Sequence, residues 1–129
     1  MIVYENMHSK INYSEDSNTL ELIWLSGTSD MTDHDFKIVN EKFANAAVEK
    51  KAANLYVNLR DFKHTFSDSL ASWREEVILP KYHEAGVTKF AFLHHPEFEA
   101  PPSRNHKENF ETKHFGSDED AKKWFSSLT

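Results

Sequence analysis

The chain has 129 residues, with 15 Lys plus Arg against 21 Asp plus Glu and a formal net charge of -6. That length suits one domain over residues 1–129, large enough to hold a core without metal or disulfide staples. The acidic balance argues against a nucleic-acid or anionic-lipid coat, and the lack of cysteine excludes disulfides, thiol catalysis and thiolate metal sites.

The N-terminus, Met1-Ile2-Val3-Tyr4-Glu5-Asn6, has neither a basic nor an apolar leader region, and no apolar run approaches the ~20 residues needed to span a bilayer. The expectation is a cytoplasmic protein with no integral membrane segment. A first strand is expected at about 7–13, followed by a turn at Ser14-Glu15-Asp16-Ser17-Asn18, whose short polar side chains bond their own backbone. Thr19 to Leu25 alternates, with Leu20, Leu22 and Trp24 on one face and Glu21 and Ile23 on the other. The two segments read as a hairpin.

Thr32 followed by Asp35 predicts a capping box, with Asp in place of the usual Glu. Phe36, Val39, Phe43, Ala46 and Ala47 then form one apolar stripe, so a helix runs to about Lys50. Leu55-Tyr56-Val57-Asn58-Leu59 is a β-rich strand soon after that helix, which is an α/β signature. The loop Arg60-Asp61-Phe62-Lys63-His64-Thr65-Phe66 leads to a second helix capped by Ser67, with a stripe of Leu70, Trp73, Val77 and Tyr82. Pro80 predicts a kink or restart, and Gly86 a left-handed cap. Lys89 to Leu93 is a buried strand. Residues 94–109 form a Pro-rich loop, Asn109 to Phe115 an edge strand, and Ser117 caps a last helix carrying Ala121, Trp124, Phe125 and Leu128. The expected architecture is a mixed sheet of about five strands flanked by helices, in the order ββαβαββα.

This run of elements resembles the STAS-like, SpoIIAA-like domains of bacteria, the fold of sulfate-transporter and anti-sigma-factor-antagonist domains, with a distant likeness to lipid-binding domains. The resemblance rests on Asp30-Met31-Thr32-Asp33, Leu55 to Phe62, the Trp73 helix, Val87 to Leu93, and Lys113 to Ser117 leading to Trp124 and Phe125, over roughly residues 17–128. It implies regulation through binding. The family's Asp-Ser-Ser/Thr-Gly phosphorylation phrase is incomplete, because His64-Thr65-Phe66-Ser67-Asp68-Ser69-Leu70 keeps hydroxyls but lacks the Gly.

Arg60, Asp61, His64 and Ser67 follow a central strand and precede a helix N-terminus, where open α/β sheets place anionic ligands. The plain alternative is that Arg60 and Asp61 brace the loop and Ser67 only caps. A Ser67–His64–Asp61 triad lacks both the spacing and a Gly-x-Ser-x-Gly elbow, so no catalytic residue is assigned. His94, His95, His106 and His114 supply imidazoles without a helical His-x-x-x-His pair, and neighbouring histidines on an extended segment point apart. They read as scattered, with no metal and no cofactor. Phe62, Phe66, Phe98 and Phe110 either line an apolar pocket or plug the sheet ends. The leading expectation is therefore a non-enzymatic module that binds a protein partner or a small anionic or amphipathic ligand, with homodimerisation as an allowed arrangement. A lipid or apolar-metabolite carrier using Phe62, Phe66 and Trp73 comes second, and a small hydrolase last.

Overall fold

A computed structural model describes residues 2–6, 8–25, 31–60, 68–94 and 111–126. The strands are β1 (Ile2–Glu5), β2 (Ser9–Ser14), β3 (Thr19–Trp24), β4 (Asn54–Asn58), β5 (Lys89–Leu93) and β6 (Glu111–Phe115). They form one six-stranded sheet in the order β1-β2-β3-β4-β5-β6. The first three strands are antiparallel neighbours, and β3 to β6 run parallel. Two expectations need correction. The sheet has six strands rather than about five, and three strands precede the first helix rather than two. The segment expected as one strand at about 7–13 starts later, as β2, because Asn6 turns the chain. Its Oδ1 accepts from the backbone N–H groups of His8 and Ser9 at 2.9 and 2.8 Å. That turn frees Ile2–Glu5 to add a further edge strand, too short to announce itself by alternation.

The β2–β3 hairpin turns through Asn18, which sits at φ 49°. Its side chain accepts from the Tyr13 hydroxyl at 2.7 Å and donates to the Lys51 carbonyl at 3.0 Å, tying the turn to the end of the first helix. That helix, α1 (Asp33–Lys50), opens with the expected capping box. Thr32 Oγ1 accepts from the Asp35 N–H at 3.1 Å, and Asp35 Oδ2 accepts from the Thr32 N–H at 3.2 Å. Both bonds satisfy amides that the first helical turn leaves without partners.

Strand β4 lies inside the sheet, parallel to both β3 and β5. After it come α2 (Asp68–Trp73), a π-helical segment at Arg74–Ile78, and α3 (Leu79–Ala85). The Leu79 N–H bonds the Arg74 carbonyl five residues back, and Pro80 follows at the start of α3. Proline has no N–H and its ring collides with the carbonyl four residues back, so the wider turn relieves the clash. The extra residue shifts the helical phase. Ile78 takes the buried position expected for Val77, and Val77 is 37% exposed. Gly86 closes α3 at φ 85° as the left-handed cap.

Alternation assigns the two faces of the sheet. Leu20, Leu22 and Trp24, with Leu55, Val57 and Phe90, pack under α1 and α3. Aromatic contacts link these layers: Trp24 stacks on Phe36 at 5.6 Å, and Tyr82 meets Phe43 at 6.2 Å and Phe90 at 5.4 Å. The opposite face carries α4 (Asp118–Ser126) over β5 and β6, with a smaller cluster of Tyr56, Ala91, Leu93 and Ala121.

Candidate functional site

On the helix-covered face, the π segment brings Arg74 onto β5. Its guanidinium lies 5.9, 5.5 and 6.0 Å from the ring centres of Tyr82, Phe90 and Phe92. Phe90 and Phe92, two residues apart on one strand, share a face and stack at 4.6 Å. Among the described residues Arg74 has no carboxylate partner; burial pushes the neighbouring Tyr82 phenol up to about 12, against the pull of Arg74. Trp73 is half-buried beside it, with the Lys37 ammonium 5.6 Å from its ring. The aromatic floor continues onto β6, where Phe92 stacks on His114 at 5.0 Å. His94 Nε2 lies 2.7 Å from His114 Nδ1. Burial, then the nearness of His114, lowers the His94 pKa to about 4.

The opposite face holds a polar cluster. The Tyr56 hydroxyl donates to Asp118 Oδ1 at 2.5 Å, and Lys122 pairs with Asp118 Oδ2 at 3.1 Å. Burial acts to raise the Asp118 pKa, but the hydrogen bonds from Tyr56 and Lys122 outweigh it and hold the carboxyl low. Burial and the bond to Asp118 push the Tyr56 phenol well above its ordinary value. Burial, then repulsion from Asp118, raises the pKa of Glu21 on β3. Tyr56, Glu21 and Lys122 border a groove of about 610 Å³, which Tyr13, Asn54 and Phe125 also line.

Of the residues expected to form the site, Asp61, Phe62, His64, Phe66 and Ser67 lie outside the described residues, as do His95, Phe98, His106 and Phe110. Arg60 is exposed, its N–H donating to Asn58 Oδ1 at 3.1 Å, and its charge acts on Tyr56 and Asp118. Trp73 belongs with the core beneath α1 and α3. Sequence reasoning missed Arg74, the joining of His94 to His114, and the Glu21–Tyr56–Asp118 cluster. Strand parity was the available signal, since Phe90 and Phe92 fall on one face of β5 with His94 next in step just past its end, as Thr112 and His114 do on β6. Only the β5–β6 register brings the two imidazoles together.

Among the described residues no three His, Cys, Asp or Glu side chains gather into a metal-holding group, and no helix is long and apolar enough to cross a membrane. No curated protein and no solved structure matches significantly. The SpoIIAA-like family model matches residues 22–126, from inside β3 to the end of α4. With that span and a mixed α/β sheet behind it, the chain belongs to the SpoIIAA-like family and is a regulatory or binding module of the STAS type.

Proposed function

We propose that the chain is a non-enzymatic binding module that takes a small anionic, amphipathic ligand along the helix-covered flank of β5. The observation that carries this reading is Arg74. The residue is half-buried, its guanidinium lies over the rings of Tyr82, Phe90 and Phe92, and it has no carboxylate partner among the described residues. A guanidinium on an aromatic floor has planar donors beyond the one that meets Tyr82 to offer an oxyanion, and the rings offer apolar surface to the rest of the ligand. Trp73 and Lys37 extend the same combination of ring and cation. The residues after β4, Arg60, Asp61, His64 and Ser67 with Phe62 and Phe66, are the proposed rim of this binding surface.

Native mass spectrometry of the gently purified chain, with a thermal-shift titration of decanoate, tests the reading. A copurifying small acid, or a rise in Tm with decanoate that disappears in Arg74→Gln, supports it. An equal rise with decanol favours the apolar-carrier alternative. No shift with either and no copurifying molecule overturns both. A second reading, a protein partner on the same face, is favoured by Val77, an apolar side chain exposed on the π segment. It requires that Val77→Asp, Arg60→Glu or His64→Ala weaken a partner recovered by pulldown. Undiminished capture by all three variants dismisses it.

A further inference from the structure

His94, just past the end of β5, and His114 on the neighbouring parallel strand β6 present two imidazole nitrogens to each other, independently of any ligand at Arg74. The pair is built rather than accidental in its surroundings. The His114 ring lies flat against Phe92, with an interplanar angle of 12°, and the two imidazole ring centres are 4.9 Å apart. The His94 N–H donates to the Phe115 carbonyl at 2.8 Å, which pins the start of its side chain to β6. We propose that His94 Nε2 and His114 Nδ1 form a chelating pair for a divalent transition-metal ion, copper(II) ahead of nickel(II) and zinc(II).

Geometry decides the order. Two nitrogens bound about 2.0 Å from a metal at a right angle stand about 2.8 Å apart, whereas a tetrahedral site spreads them to about 3.3 Å. The observed separation is 2.7 Å, which matches the right-angle span, but the ring centres 4.9 Å apart show the nitrogens meeting nearly head-on, so both rings must tilt to aim their lone pairs at one metal. Copper(II) prefers that geometry and also binds nitrogen donors most tightly among these divalent ions. A metal would replace the hydrogen bond now joining the rings, and both nitrogens would enter as lone-pair donors, so the proton between them passes through solvent to the other nitrogen of the donor ring, which stays neutral. The Arg74 guanidinium, 6.0 Å from the Phe92 ring centre, disfavours a bare dication and favours one carrying an anion in an open position.

Calorimetric titration of the full chain with copper(II), nickel(II) and zinc(II) chlorides tests this, with electron paramagnetic resonance of the copper form. The expected result is one tight copper site whose spectrum shows coupling to two nitrogens. Affinity falls at least tenfold in His94→Gln and in His114→Gln, and is unchanged in His8→Gln and His83→Gln. Circular dichroism establishes that the variants fold, and the spectrum of the unaltered chain stands as a test without them. Single-nitrogen coupling, loss in only one of the two variants, or loss that follows His95→Gln or His106→Gln but not His114→Gln overturns the proposal.

Discussion

The two faces of the sheet are built on different principles. Beneath α1 and α3, large side chains interlock: Trp24, Phe43, Tyr82 and Phe90 are each no more than 2% exposed. Beneath α4, the buried set shrinks to Tyr56, Ala91, Leu93 and Ala121, and half-buried Trp124 and Phe125 meet a cluster of charges. The first face supplies stability through packing, with Asn40 buried on α1 and the His94–His114 pair at its β5–β6 margin. The second supplies less burial and keeps polar groups beside an open groove. Cavity-forming changes should therefore be expensive on one face and tolerated on the other.

The largest expected contrast comes from two truncations. Phe43→Ala should cost about 3–5 kcal/mol in urea denaturation, as an aromatic ring removed from a closed core. Phe125→Ala should cost about 1–2 kcal/mol, because its ring is already partly in water. Equal costs would erase the distinction between the faces. Tyr56→Phe should lose about 1–2 kcal/mol at neutral pH by removing the hydrogen bond to Asp118. Because the folded-state pKa of Asp118 is depressed, this contribution is present above the ordinary carboxylate range and lost as pH falls through the folded value. The Tm difference between Tyr56→Phe and the unaltered chain should therefore narrow on acidification.

On the packed face, His94 gives the acid-sensitive point. Its folded pKa of about 4 lies below the ordinary 6.5, so between those values the unfolded chain binds more protons. Stability is fully present above pH 6.5 and declines toward pH 4. After discounting for solvent the loss should be about 1 kcal/mol, and it should be absent in His94→Gln. The smallest effect belongs to Glu21. Burial and Asp118 both disfavour its charge, so Glu21→Gln should be neutral or stabilising by about 0.5 kcal/mol at pH 7. Clear destabilisation would mean that the pull of Lys10 and Lys122 outweighs them.

These contrasts also mark what the sequence makes legible. The capping box of Thr32 and Asp35, the alternation of β3, the inner position of β4 and the Gly86 cap are local signals, and each element has its expected form. Val77 was misassigned because helical periodicity assumes a constant turn, which the Pro80 clash breaks. The strand at Ile2–Glu5 was missed because four residues, with a bulge between Ile2 and Tyr4, carry no readable alternation. The His94–His114 pair and the Tyr56–Asp118 bond join residues 20 and 62 positions apart. Local patterns carry parity but not register, so such meetings are invisible until the strands are aligned.

The widened turn between Arg74 and Ile78 amounts to one surplus residue in an otherwise ordinary helix. Each residue advances a helix by about 100°, so that surplus reorients everything upstream of it relative to everything downstream. Shortening the chain by one residue there would leave Tyr82 seated against Phe43 while swinging Trp73 and Arg74 around the axis, away from their rings. A single-codon deletion would thus disarm the surface Arg74 presents and would pull Leu70 from the core with it.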